Sequence, residues 1–459
     1  MLSKDTIHDL TQRVLKLSSA EETEVIVSGG THSLTRFANN TIHQNVSDEN
    51  YAISVRTVLG KNTARATTNK FDEDSLRRTI DAALQLTRVQ PEDPDLPSMP
   101  DQSVYPPAEG PSRWFQQTAS LSPQDRAASV AQIVGIAQKF DMTTAGIVAC
   151  SDAVEAIANS RGLFAYHPQT SAEISITMLA ADSSGWQKAN SPDVRNLDAG
   201  ALAEVAARKA RDSADPKELA PGKYTVILEP AAVLDLVGFM FWDWGGQSLL
   251  DERSFLNNRI GTRLFGENIT IHDDVAHALQ SGAPFDGEGV RRQRVTLVEN
   301  GVIQNLVYAR GTAEKVRKSP LAEKLGTISP TGHGFPLPNE MGEMPLNIVF
   351  ATPAEPKSVT EITEETERGI LVTRLWYIRE VDPYEKILTG MTRDGTFYVE
   401  DGRIRHGIRN FRFNQSLIHM LSNVVEMGAP VRSSGEESFD MVVPAMRVKD
   451  FNFTEVTRF

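Results

Sequence analysis

The stretch that decides the fold is Gly369–Asn414, GILVTRLWYIREVDPYEKILTGMTRDGTFYVEDGRIRHGIRNFRFN. It is rich in strand-forming residues and is divided by turn dipeptides. Asp401-Gly402 separates two apolar runs, Thr396–Val399 and Ile404–Phe413, and this dipeptide favours a two-residue type I′ hairpin. Charged and apolar residues alternate through the second run, which is typical of a sheet with one solvated face. The stretch therefore predicts an antiparallel sheet in the last part of the chain.

Length, composition and charge limit the class of protein. The chain has 459 residues, of which 40% are hydrophobic, as in ordinary soluble proteins with two or three domains. No run approaches the ~20 apolar residues of a membrane span, and the first ten residues lack the apolar segment of a signal peptide. The single cysteine, Cys150, fits a reducing compartment. The net charge of −13 argues against direct binding to nucleic acid. Together these features predict a cytoplasmic protein that does not bind membranes.

Composition and periodicity divide the chain into four parts. Residues 1–90 are predicted to form a small N-terminal α/β domain, and residues 91–111 a proline-rich linker. Residues 112–219 are predicted to form a middle α/β domain. Residues 220–459 are predicted to form a larger, β-rich C-terminal domain with antiparallel sheets. The expected fold class is therefore α+β.

Several element boundaries follow from glycine and from turn residues. We predict that the chain turns at Gly29-Gly30, and that a strand beginning at Ile387 ends at Gly390. The runs Thr144–Ser151 and Val154–Asn159 are predicted to be two paired strands. Helix periodicity predicts a helix over Ser416–Glu426.

Several stretches of the sequence resemble one protein family. LVTRLWYIREVDP, LTGMTRDGTF and IRNFRFNQS are similar to the C-terminal domain of the TldD/PmbA family, and SLTRFANNTIHQNV and ATTNKFDEDSLRRTI to its first domain. The family is described as metallopeptidases and as modulators of DNA gyrase. The resemblance covers nearly the whole chain and is looser in the middle domain.

The resemblance implies a metal helix that this chain has lost. In the catalytic branch a helix of the third domain carries His-Glu-x-x-x-His, in which two imidazoles bind zinc and the glutamate activates water. The matching helix is Ala231–Trp244, where the histidine positions fall near Val237 and Trp242 and the glutamate near Gly238. A further cysteine ligand is also missing from Pro430–Gly435. The chain thus resembles the PmbA/TldE type, which is expected to bind no cofactor while zinc is held by a TldD-like partner.

The resemblance also implies a role. It predicts a non-catalytic subunit of a heterodimeric cytosolic metallopeptidase that degrades or processes unfolded peptides, with the peptide bound extended by strand addition. The isolated chain could also form a homodimer. Side chains that could face peptide or partner are Trp242, Trp244, Arg374, Trp376, Arg379, Arg393 and Asp394. Core packing of Trp242 and Trp244, and an ordinary solvated sheet face for the other five, are the alternatives.

Two other functions stay open on the sequence alone. His272 and His277 flank two aspartates with the family's histidine spacing, so the chain could be a self-contained metal hydrolase. Residues five apart on a regular helix point about 140° away from each other, and a polar loop in which Asp273 and Asp274 cap the next element is the simpler interpretation. The chain could also be a non-enzymatic peptide-binding or assembly protein. His333, between two glycines, is expected to lie in a flexible turn without a role.

Overall fold

The computed structural model describes residues 1–104 and 110–457, and shows an α+β protein with 25% helix and 39% strand. The strands of the first sheet are β1 (Glu22–Ala38), β2 (Thr41–Leu59), β3 (Asn62–Thr68), β4 (Thr143–Asn159), β5 (Phe164–Leu179) and β6 (Ser184–Ser191). They pair antiparallel in the order β3-β2-β1-β4-β5-β6. The strands of the first and middle parts of the chain therefore form one continuous sheet.

The helices of this half cover one face of the sheet. They are α1 (Lys4–Leu17), α2 (Glu73–Val89), α3 (Gln116–Ala119), α4 (Pro123–Lys139) and α5 (Ala199–Asp212). α1 and α2 pack near Val154 of β4, and α4 and α5 pack near Val148. These two valines are an even number of residues apart, so both point to the same face. The opposite face contacts the second half of the chain through Ile157 and Phe285.

The second half is built from short elements and two further sheets. In chain order they are β7 (Gly222–Leu228), α6 (Pro230–Phe241), α7 (Gly246–Leu250), β8 (Ile271–Asp273), β9 (Val295–Glu299), β10 (Val302–Ile303), α8 (Arg310–Lys318), β11 (Ile348–Phe350), α9 (Val359–Glu364), β12 (Arg368–Asp382), β13 (Ile387–Glu400), β14 (Arg403–Gly407), β15 (Phe411–Ser416), α10 (Leu417–Ser422), β16 (Val424–Met427), β17 (Val431–Ser433), β18 (Met441–Val443) and β19 (Met446–Val456).

The larger of these sheets closes on itself. Its order is β12-β7-β19-β15-β13-β14, and β12 also pairs with β13, so five strands form a ring. The other sheet has the order β10-β9-β8-β11-β18-β17. α6 lies between the two and is buried along nearly its whole length in the largest apolar core. A helix that is apolar all round is expected at such a place.

Several element boundaries coincide with capping residues or with turn dipeptides. Asp72 caps α2, and Ser122 and Asp125 form the capping box of α4. The predicted hairpin at Asp401-Gly402 is confirmed, because both residues have positive φ. The helix predicted after Ser416 is only α10, which is followed by β16.

Three strand boundaries predicted from glycine and turn residues are wrong. β1 continues through Gly29-Gly30. The glycine at position 29 allows the close approach of β2, because an added Cβ would lie 2.1 Å from the carbonyl oxygen of Asn50. β13 continues through Gly390, where an added Cβ would lie 2.8 Å from the ring of Phe413. Thr143–Asn159 is one strand rather than two. These glycines make room for a neighbour rather than a turn.

The proline-rich segment is anchored to the first sheet where it is described. Leu96 and Met99 are buried against Val58, and Nδ2 of the Asn159 side chain donates to the carbonyl of Pro100. The part of the predicted linker at 105–109 lies outside the described residues. Of the helices in the described ranges, not one combines the length and the apolar composition that crossing a bilayer requires.

Candidate functional site

The helix that the resemblance assigns to the metal is α6. β7 leads directly into it, and Pro230 stands in its first turn, where a proline costs no hydrogen bond. Val237 and Gly238 are buried, and Trp242 follows the last helical residue with 53% of its side chain exposed. Valine and glycine offer no side-chain donor, and an indole nitrogen carries a proton but no lone pair for a metal. These three positions cannot ligate zinc or serve as a general base.

A loop closes the space beside these positions. Residues 434–440, between β17 and β18, form what is called the tail loop below. A Cβ atom added to Gly238 would lie 1.8 Å from Oγ of Ser438, and one added to Gly435 would lie 2.0 Å from Oδ1 of Asp235. Two glycines thus bring α6 and the tail loop into direct contact, which leaves no space between them for an ion with its ligands.

Asp235 fixes the tail loop from the middle of α6. Its Oδ1 accepts hydrogen bonds from the backbone amides of Glu436, at 3.1 Å, and Glu437, at 3.0 Å. Oδ2 is buried without a hydrogen-bond partner. Burial raises the pKa of this carboxyl to about 7, although the two amides act in the opposite direction. Asp235 is not among the residues predicted from the sequence, where its signal is a single charge inside an otherwise apolar helix.

The tail loop in turn shapes an exposed bulge of β12. The carboxylate of Glu437 accepts a hydrogen bond from the amide of Tyr377 at 2.7 Å and lies 3.8 Å from the guanidinium of Arg379. Tyr377 has a φ of +54°, and it lies where the β12–β13 register shifts, between Trp376 and Arg379. An aromatic residue held at positive φ carries a conformational cost, and burial of Tyr377 offsets it only in part because 52% of the residue is exposed.

Two residues that were predicted to face solvent or a partner are buried. Arg374 and Asp394 form an ion pair, and the hydroxyl of Ser184 donates to Asp394 at 2.6 Å. The solvated-sheet interpretation of this pair is therefore corrected. The guanidinium of Arg374 lies between the rings of Trp186, at 4.7 Å, and Trp376, at 5.7 Å.

Other residues of that set do reach the surface. Arg393 is exposed and lies over the ring of Trp376 at 4.9 Å, and Arg379 is exposed over Tyr377 at 4.4 Å. These four side chains, Trp376, Tyr377, Arg379 and Arg393, are called the aromatic–arginine surface below. They combine flat apolar area with positive charge, which suits an extended peptide or a partner subunit.

The two tryptophans after α6 have different environments. Trp244 is fully buried and donates from its indole nitrogen to the carbonyl of Asn305 at 2.9 Å, so it is a core residue rather than a surface one. Trp242 remains exposed. Its neighbour Asp243 is ion-paired with Lys386, which also pairs with Glu380, the residue after Arg379. Trp242 is thus linked through its neighbour to the strand that carries the aromatic–arginine surface.

His272 and His277 do not form a metal site with a third ligand. His272 lies on β8, with Nδ1 3.2 Å from the hydroxyl of Thr296, and burial lowers the pKa of its ring. Nδ1 of His277 accepts from the amide of Leu279. Within residues 1–104 and 110–457, no cluster of three His, Cys, Asp or Glu side chains is placed to hold a metal ion.

Of the two aspartates between these histidines, which were both predicted to cap the next element, only one does so. Asp273 is fully buried, accepts from the amide of Asn347 and lies 3.0 Å from Nε2 of His333, at an angle poor for a hydrogen bond. Only Asp274 caps a turn, by accepting from the amide of Ala276. His333 is therefore a buried structural residue, and the prediction that it lies in a flexible turn without a role is wrong.

Comparison with known proteins fits this architecture. The family model described as PmbA/TldA metallopeptidase C-terminal domain matches residues 221–455, which is half of the chain. The chain belongs to the TldD/PmbA family. Models of domain 1 and of the central domain of the same family match residues 23–87 and 120–214.

Individual relatives of the family are distant. Metalloprotease PmbA of Escherichia coli O157:H7 is 22% identical over 401 residues, covering 83% of this chain and 82% of that protein. An uncharacterized protein of Methanocaldococcus jannaschii is 39% identical over only 102 residues, 22% of this chain and 24% of its own length. The crystal structure of TldE from Thermococcus kodakarensis superposes with a TM-score of 0.84 at 18% identity, covering 98% of this chain and 100% of that one. The fold is thus shared over the whole length.

Proposed function

We propose that this chain is the non-catalytic subunit of a heterodimeric cytosolic metallopeptidase of its family, paired with a TldD-like subunit that carries zinc. The observation that carries the proposal is the closed contact between α6 and the tail loop. Val237 and Gly238 offer no donor atom, and Asp235 is engaged by two amides of the loop. The residues present do not fit zinc, so the reaction is assigned to the partner.

The substrate side of the proposal rests on β12. This strand pairs with β7 only over Ile370–Val372, so in the described part of the chain its later residues have a strand neighbour on one side only. Three side chains of the aromatic–arginine surface lie on this later part, and the fourth, Arg393, lies on the paired strand β13. An extended, unfolded peptide could add there through main-chain hydrogen bonds, which would give binding with little sequence preference. The same surface could instead contact the catalytic partner.

The first test is metal content and activity of the purified chain. We expect far less than one zinc per chain and no cleavage of an unfolded protein such as reduced casein. Addition of a TldD-like relative from the same cell should give a one-to-one complex with chelator-sensitive peptidase activity. Stoichiometric zinc together with zinc-dependent cleavage by this chain alone would overturn the proposal.

The second test separates binding from folding at Tyr377. Tyr377→Gly keeps a backbone that tolerates positive φ and removes the exposed ring, so stability should be unchanged or slightly raised. Binding of the TldD-like subunit or of an unfolded peptide should weaken about tenfold, because a hot-spot aromatic is lost. The control is Asp401→Gly, a hairpin residue also at positive φ, which should leave binding unchanged. Equal binding by both variants would remove Tyr377 from the contact surface.

The self-contained hydrolase is the weaker candidate. His272 and His277 have separate partners and no third ligand in the described ranges. His272→Ala is therefore expected to leave metal content unchanged when metal is measured in purified wild-type and variant protein. A metal present in the wild type and lost in the variant would revive this candidate.

A further inference from the structure

A cleft lies between the first sheet and the second half of the chain. Ser28 of β1 and Glu155 of β4 are paired in register on one wall, and both point away from the helices because Val154, next to Glu155, points toward them. Loops at 285–292 and 333–336 form the other wall. The volume is about 320 Å³, the space of about ten water molecules. This space is called the interface cleft below.

Glu155 brings an uncompensated negative charge into the interface cleft. Its side chain is exposed to the cleft, and the surrounding protein raises the pKa of its carboxyl by desolvation, against the effect of the charge of Arg292. Within residues 1–104 and 110–457, neither a hydrogen bond nor an ion pair reaches this carboxylate. A cation that binds beside it would therefore be stabilised.

Arg292 brings an unused donor to the opposite wall. Its amide donates to the carbonyl of Pro284 at 2.9 Å and its Nε to the carbonyl of Phe285 at 3.4 Å. In the described part of the chain its two terminal nitrogens have no hydrogen-bond partner, and Nη1 is buried. The carboxylate of Asp286, also in this wall, is occupied by backbone amides of its own loop and of Gly334. The guanidinium is therefore left to bind an anion.

Between these two charges the walls are apolar. The apolar side chains that line the interface cleft are Ile26, Ile157, Phe285, Phe335 and Leu346. A ligand that fits must carry a cation and an anion close together, with an apolar group beside them. It must also be small, because the cleft holds about ten non-hydrogen atoms at the volume of one water each.

We propose that the interface cleft binds a free α-amino acid with an apolar side chain, such as leucine. The ammonium group lies at Glu155, the carboxylate at Arg292 and the side chain against the apolar walls. A free amino acid carries both charges in one small molecule, whereas each end of a peptide carries only one of them. The matching of both charges therefore selects the amino acid over the peptide.

This inference is separate from the proposed function. The interface cleft lies on β1 and β4 of the first sheet, whereas the aromatic–arginine surface lies on β12 and β13. Binding of leucine requires neither zinc nor a TldD-like subunit. Failure of one proposal thus leaves the other untouched.

Calorimetric titration of the full-length chain tests the ligand class. Leucine should bind with a Kd below about 1 mM. Leucinamide, which lacks the carboxylate, and N-acetylleucine, which lacks the ammonium group, should each bind about tenfold more weakly or worse. Equal binding of leucine and leucinamide, or no binding of leucine, valine and phenylalanine at millimolar concentration, would overturn the proposal.

A substitution at Glu155 tests the place. Glu155→Gln should weaken leucine binding about tenfold and leave thermal stability unchanged, because the carboxylate has no partner to lose. The control is Glu49→Gln, the same change at an exposed residue of the first sheet outside the cleft, which should bind leucine like the wild type. Unchanged binding by Glu155→Gln would contradict the assignment.

Hydrogen exchange of the wild type locates the ligand without any variant. Leucine should slow exchange at 285–292 and 333–336, the two loops of the interface cleft. Slower exchange confined to β12 would place leucine on the aromatic–arginine surface instead and would overturn the proposal.

Discussion

Gly238→Ala is expected to lower the free energy of unfolding by about 2 to 3 kcal/mol. The new methyl group would lie 1.8 Å from Oγ and 2.5 Å from Cβ of Ser438, and no rotation of the serine moves its Cβ away. The tail loop must therefore shift, and its hydrogen bonds to Asp235 shift with it. Urea unfolding followed by circular dichroism measures the change.

A second helical glycine supplies the control. Gly135 lies in α4, and nothing stands within 4 Å of an added Cβ, so Gly135→Ala should stabilise the protein by up to about 1 kcal/mol. Gly238→Ala combined with Ser438→Gly should recover most of the lost stability, because the colliding side chain is then absent. A single Gly238→Ala variant as stable as the wild type would show that the tail loop does not close on α6.

The contrast between turn residues and strand glycines explains how far the sequence predicts the fold. Asn39-Asn40, Asn300-Gly301 and Asp401-Gly402 demand positive φ at both positions, so the hairpins could be recognised from local chemistry alone. Gly29-Gly30 and Gly390 serve a distant neighbour, a second strand or an aromatic ring. That neighbour is defined only by the tertiary structure, so the glycines were taken for strand ends.

The candidate site shows the same division. The lack of donor atoms at Val237 and Gly238 is visible in the sequence once the helix is aligned to its family. The bond from Asp235 to the tail loop joins residues about two hundred positions apart, and Asp273 and His333, which lie close together in the fold, are separated by about sixty positions along the chain. Arg374 and Asp394 form an ion pair across β12 and β13 at a place where the register of the two strands shifts. Such contacts leave no periodic signal in a single sequence.

The pH dependence of stability should reveal Asp235 as a buried, uncompensated carboxyl. Its folded-state pKa is about 7, above the ordinary value of 3.8 that holds in the unfolded chain. The folded protein therefore binds a proton that the unfolded chain releases between about pH 4 and pH 7. This contribution is fully present below pH 4 and is lost as the pH rises through 7, on the order of 4 kcal/mol in total. Burial likewise raises the pKa of Glu343 to about 7, which adds to the slope.

Asp235→Asn isolates the contribution of the charge. Since both loop amides bind Oδ1 and Oδ2 has no partner, an asparagine can keep the two hydrogen bonds with its oxygen. The variant should match the wild type at pH 4 and exceed its unfolding free energy at pH 8 by up to a few kcal/mol. Asp235→Leu is the matched comparison, because it removes the acceptor and should be less stable than Asp235→Asn at every pH.

Urea unfolding at intervals from pH 4 to pH 8 measures all three proteins. The pKa of Asp273 is shifted in the opposite direction: burial raises it, but the contact with His333 outweighs burial and holds it below the ordinary value for an aspartate. Asp273 therefore changes the stability only below that ordinary pKa, which is outside the range from pH 4 to pH 8. An Asp235→Asn variant less stable than the wild type at pH 8 would mean that the folded protein stabilises the carboxylate, for instance through the charge of Arg374. The ionised carboxylate of Asp235 would then be the form that stabilises the contact between α6 and the tail loop, and this contact would become stronger as the pH rises.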